Sequence, residues 1–134
     1  MIAIYPAHIR ETGERQTVRE HCRNTAALAA SALRLTGLEE SAYLAGLLHD
    51  AGKNKKEYSQ YLLEAVSGGN AVRGSVNHTF AGVRLLLDRW HCGRGAFSCS
   101  DVTAELLAFA VGSHHGLFDC IDPEQRSGFL HRQT

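Results

Sequence analysis

The chain has 134 residues, 44% of them apolar and 21% charged, which excludes a disordered tail and fits one domain with one core. Fourteen Lys and Arg offset fourteen Asp and Glu. That balance excludes a general nucleic-acid coat protein, which holds its ligand by counterion release, but leaves room for a local basic groove. Four cysteines form no Cys-x-x-Cys pair, which excludes zinc ribbons and thioredoxin-like motifs. No apolar stretch is long enough to span a membrane, and the N-terminus lacks a basic segment followed by a long apolar run. The expected setting is the cytoplasm, with free thiols and no membrane partner.

Pro6 and Pro123 are the only prolines, which favours helix along the chain between them. The first 16 residues are polar and carry no sustained period. Thr17 then caps a helix, with Glu20 completing a capping box and Val18, Cys22, Thr25, Leu28, Ala29, Ala32 and Leu33 at helical spacing. Thr36-Gly37 reads as its stop. A second helix starts near Leu38, with Glu39 and Glu40 in its first turn, and runs to His49-Asp50, where Gly52 ends it. A third covers about 55–66 and stops at Ser67-Gly68-Gly69, followed by a loop over 70–76. A fourth runs from Asn77 or His78 to about Trp90, and a Gly-rich loop follows over 93–100. Ser100 or Asp101 caps a fifth, which runs to Gly112-Ser113-His114-His115-Gly116 before an irregular tail over 117–134. No alternating pattern lasts more than a few residues. The fold class read from this is all-α, one compact helical domain over 1–134.

The helix ends carry the chemistry. Eight histidines stand against three lysines, and imidazole is both the commonest metal ligand and a near-neutral acid–base group. His21, His49, Asp50, His78, His114 and His115 lie on or at the ends of four of these helices. Neighbouring helical residues diverge by about 100°, so His49 with Asp50, or His114 with His115, can meet one ion only where the backbone turns away. Gly52 and Gly116 are expected to permit that turn. Singly, each histidine has a plain explanation as a hydrogen-bonded core residue or a helix C-cap. Jointly they point to a metal, because a buried Asp50 needs a counter-charge. Mixed imidazole and carboxylate donors suit Mn, Fe, Co, Ni or Zn better than Ca. Arg10, Arg15, Arg19 and Arg23 either line an entry groove or form a solvated helix face. The run from Gly46 to Asn54 departs from a phosphate-binding loop, with five residues between its glycines and Asn after Lys53, so no ATP site is expected.

Five blocks in order carry a family resemblance: Tyr5-Pro6-Ala7-His8, Val18 to Asn24 around His21, Leu47 to Lys53 around His49-Asp50, Asn77-His78-Thr79-Phe80-Ala81-Gly82, and Gly112 to Gly116. Together they resemble the HD nuclease domain of the CRISPR-associated nuclease-helicase of type I systems, within the HD-domain metal-dependent phosphohydrolase superfamily. The resemblance covers nearly the whole chain. It implies a helical domain that binds two divalent transition metals (Mn, Co, Ni or Fe ahead of Mg or Zn) and cuts single-stranded DNA, with a helicase domain or subunit and an RNA-guided surveillance complex as partners. By the same resemblance His21, His49 and Asp50 match the ligands of one metal, and Asp50 bridges to a second held by His78, His114 and His115. Asp50 and Lys53 are then the expected catalytic residues, Lys53 neutralising phosphate charge or steadying a ligand. The family's first metal takes a further aspartate from a later helix, whereas the only aspartates after His115 are Asp119 and Asp122, close behind it. That departure implies a domain truncated at its C-terminal end, with apolar faces left uncovered. Two alternatives stay open: an HD phosphohydrolase of nucleotides or small phosphoesters, and a catalytically incomplete metal-binding module.

Overall fold

The computed structural model describes residues 3–72, 75–93, 97–117 and 120. Two short strands come first, β1 (Pro6–Ile9) and β2 (Arg15–Thr17), then helices α1 (Val18–Ala32), α2 (Glu39–Leu48), α3 (Lys56–Val66), α4 (Phe80–Trp90) and α5 (Cys99–Gly112). A single 3-10 turn, Ala51–Lys53, sits between α2 and α3. The five expected helices form, and the molecule is all-α in class. The antiparallel β1–β2 hairpin is an addition to the sequence reading. It pairs His8 with Gln16 and Ile9 with Arg15, and turns at Gly13, whose φ of +86° suits glycine. Strands of four and three residues are too short to display alternation.

Local chemistry sets the helix starts. Thr17 caps α1 as expected: its hydroxyl accepts the Glu20 N–H at 3.2 Å, and the Glu20 carboxylate accepts the Thr17 N–H at 3.0 Å. The cap of α5 is Ser98, not Ser100 or Asp101. Asp101 is instead the third residue of that helix and closes a capping box, accepting the Ser98 N–H at 2.9 Å and the Cys92 N–H at 2.7 Å. His49-Asp50 lies just past the end of α2, His78 two residues before α4, and His114-His115 in the turn after α5. α1 closes at Ala32, and Gly37, with φ +76°, turns the chain only after an intervening turn.

Packing joins α1 to α2 and α4 to α5, and α2 bridges the pairs by meeting α5. Phe80, Val83 and Leu86 of α4 and Ala108 and Val111 of α5 form the main core, with Leu44, Ala45 and Leu48 of α2 against it. A smaller cluster of Ala7, Val18 and Cys22, joined by Tyr5 and Leu47, seats the hairpin on the first turn of α1. Three glycines allow backbones to touch. A Cβ at Gly46 would lie 2.6 Å from Ala26 Cα, one at Gly82 2.2 Å from the Leu48 carbonyl oxygen, and one at Gly52 2.0 Å from the His78 carbonyl oxygen. Gly52 is therefore required for close approach; its φ is not positive, so the turn expected there does not draw on glycine's conformational freedom. Gly116 has no positive φ either and meets nothing. Val102, Leu106 and Phe109 leave an apolar stripe of α5 exposed. Among the described residues no helix is long and apolar enough to cross a membrane.

Candidate metal centre

The contacts at Gly52 and Gly82 hold the end of α2 against α4 and the segment before it, and four separate stretches of chain meet at Asp50. Its carboxylate is 2% exposed and begins the 3-10 turn. Oδ2 faces His21 Nε2 at 3.1 Å and His49 Nε2 at 3.2 Å, and accepts the Lys53 ammonium at 2.9 Å. Oδ1 faces the opposite way, with His114 Nε2 at 3.5 Å and His78 Nε2 at 3.6 Å. These donors fall into two groups, Asp50 with His21 and His49, and Asp50 with His78, His114 and His115; within each, all donor atoms lie within 4.8 Å of one another. All six side chains singled out in the sequence, and Lys53, are thus brought together.

Backbone carbonyls aim the rings. His49 donates Nδ1–H to the Gly46 carbonyl at 2.7 Å, His114 to that of Val111 at 2.6 Å and His78 to that of Val76 at 3.3 Å. Each such bond fixes the tautomer and turns the Nε2 lone pair inward. The ring nitrogens crowd one another there: His21 and His49 Nε2 are 3.1 Å apart, and His78 and His115 Nε2 are 2.9 Å apart. Asp50 Oδ1 is buried with no hydrogen-bond partner among the described residues. Ring nitrogens so close together, with a buried anion among them, form a donor set that a shared cation would satisfy. The donor set fits a divalent transition metal on each side of Asp50.

The electrostatics agree. Burial pushes the Asp50 carboxyl up, but the His114 and His49 imidazoles and the Lys53 ammonium outweigh it and hold the group well below the usual carboxylate range. Burial lowers His78 to about 4, which the Val76 carbonyl and Asp50 only partly oppose, and burial also lowers His21. Burial lowers His49, but the Asp50 carboxylate beside its Nε2 and the Gly46 carbonyl at its Nδ1 outweigh that and raise it. The carboxylate therefore stays ionised, and burial favours the neutral form of His78 and His21, the form a metal ligand needs.

Two neighbours were not assigned roles from the sequence. Tyr58, the buried residue of α3, sets its ring edge-on to His78 at 4.9 Å and lies under the Lys53 ammonium, 5.3 Å from the ring centre. His8, on β1, stands edge-on to His21 at 4.6 Å. Tyr58 had no motif to mark it; His8 fell within a quoted block without a function. The four arginines do not form one surface. Arg10 and Arg15 line a groove of about 740 Å³ with His8, Gln16 and Asn24, and Arg10 is paired there with Glu14 at 2.6 Å. Arg19 and Arg23 line a separate groove beside Cys22, Ala51 and Asn54. His91 pairs with Glu105 at 2.8 Å and belongs to neither donor group. Asp119, Asp122 and all but Leu117 and Cys120 of the tail lie outside the described residues.

Compared with known proteins, residues 18–127 match the family model of the HD domain. No curated protein and no solved structure matches the chain.

Proposed function

The chain belongs to the HD domain family, whose members are generally metal-dependent phosphohydrolases, and from that premise we propose that it is an endonuclease for single-stranded DNA acting in CRISPR type I interference. In this reading His21, His49 and Asp50 hold one divalent cation, Asp50, His78, His114 and His115 hold a second, and a helicase and an RNA-guided surveillance complex deliver the strand. The observation that carries it is the Asp50 carboxylate, which presents one oxygen to each set of imidazoles.

Two cations on either side of one carboxylate would supply Lewis acidity for the phosphate and make water acidic enough to ionise near neutral pH. The chain's own residues do the rest. Asp50 stays ionised and ties both halves of the centre to one side chain. The carbonyls of Gly46, Val111 and Val76 orient His49, His114 and His78, so little reorganisation is needed when substrate arrives. The Lys53 ammonium adds positive charge at the centre, where a phosphodiester brings negative charge. The groove beside the hairpin is lined by Arg10 and Arg15 together with Glu14 and Glu20, and His8 at its edge stands against His21.

Cleavage of circular single-stranded DNA tests this directly, using chelator-stripped protein reloaded separately with Mn, Co, Ni, Mg or Zn. Nicking that depends on a transition metal supports the nuclease. Intact circles, with rapid turnover of nucleotides or bis-nitrophenyl phosphate by the same samples, would replace it with a small-phosphoester hydrolase.

A further inference from the structure

The two oxygens of Asp50 are not equivalent. Oδ2 already accepts the Lys53 ammonium at 2.9 Å. Lys53 is 4% exposed and packed over the Tyr58 ring, so its charge cannot swing out to water. Oδ1 is buried without any hydrogen-bond partner among the described residues. The donor sets differ as well: among the described residues Oδ1 shares its side with His78, His114 and His115, whereas Oδ2 shares its side with His21 and His49. A carboxylate oxygen holding an ammonium is satisfied, and that ammonium repels any further cation at short range. An unpartnered buried oxygen facing three imidazoles is in the opposite condition, and with them it completes a four-donor set.

We infer that the two halves of the centre bind metal in a fixed order: a divalent cation binds first and tightly at Asp50 Oδ1, His78, His114 and His115, while Lys53 acts as a resident cation on Oδ2 that weakens the second site at His21 and His49. The inference rests on the metal-centre reading above and deepens it. Lys53 is then a positioning residue for Asp50, and it sets how much free metal is needed to fill the second site. At scarce metal the protein holds one ion; only at higher concentration does it hold two.

Calorimetric titration of chelator-stripped protein with Mn and with Co reads this without reference to activity. The native chain is expected to show one tight step and one at least tenfold weaker. His78→Ala should remove the tight step. His21→Ala should leave it in place and remove the weak one. Lys53→Met should tighten the weak step at least tenfold, and by more than it tightens the other. Should Lys53→Met fail to fold, as judged by far-UV circular dichroism, the two histidine variants still decide the order of filling. Two equal steps in the native chain, loss of the tight step in His21→Ala, or a weak step unmoved in folded Lys53→Met would overturn the inference while leaving the metal centre standing. No binding by the native chain at all would overturn both.

Discussion

Asp50 is an anion in the interior, and its three nearest contacts, with Lys53, His21 and His49, all fall on a single oxygen. Removing one partner of such a buried pair leaves an uncompensated charge, typically at a cost of about 3–5 kcal/mol. Lys53→Met should therefore destabilise the metal-free protein by roughly that amount in urea denaturation; an unchanged midpoint would show that the ion pair contributes nothing. Protonation gives a second handle. His78 sits at about 4 when folded, against 6.5 for a free imidazole. Between those values the unfolded chain binds more protons, so stability falls as pH drops from 6.5 towards 4. His21, also lowered by burial, acts in the same direction. Asp50, held below its ordinary value, adds a further loss once the pH falls beneath the usual carboxylate range. His49 alone among these acts oppositely, since its raised value makes its contribution fade as pH rises. The metal-free denaturation midpoint should accordingly fall on acidification from pH 6.5, less steeply in His78→Gln; a midpoint that rises would contradict these assignments.

At the scale of elements, helix ends and backbone contacts place the site. The capping boxes at Thr17 and Ser98 fix where α1 and α5 begin, and replacing either residue by Ala should cost about 1 kcal/mol in thermal or chemical unfolding. Gly52 and Gly82 matter more. A methyl group at Gly52 would lie 2.0 Å from the His78 carbonyl oxygen, and one at Gly82 2.2 Å from that of Leu48. Both clashes are with backbone, so relief requires the elements to separate, at about 1–3 kcal/mol each. Gly52→Ala should also weaken metal binding, because the displaced segment carries His78; full affinity in that variant would show that the close approach does not position the site. None of this could be read from a glycine's letter in the sequence. The chain shows that Gly52 follows His49-Asp50, but not that the His78 carbonyl lies behind it. The α5 cap was legible but missed: Ser98, Ser100 and Asp101 are all good caps, and Ser98 has capping-box spacing to Asp101, which accepts the Ser98 N–H as well as that of Cys92.

Across the whole molecule, much was legible because the candidate ligands sit at or near helix termini, and termini are where sequence signals are strongest. Apolar periodicity located the five helices, and the paired letters His49-Asp50 and His114-His115 marked where two of them give way to turns. The hairpin escaped because it is too short to alternate, yet it carries His8 to the edge of His21. Tyr58 escaped because a tyrosine on an amphipathic helix resembles any other core residue until α3 is seen against Lys53 and His78. The arginines around α1 divide between two grooves, since residues 19 and 23 share a face that Glu20 and Asn24 do not. What unites these parts is one carboxylate shared by two sets of imidazoles. The most direct measurement is metal content and circular single-stranded DNA cleavage on the same preparation of Asp50→Ala, with folding checked by circular dichroism. The account predicts that a folded Asp50→Ala loses bound metal and cleavage together. A folded variant that keeps its metal and still nicks the circle would contradict it.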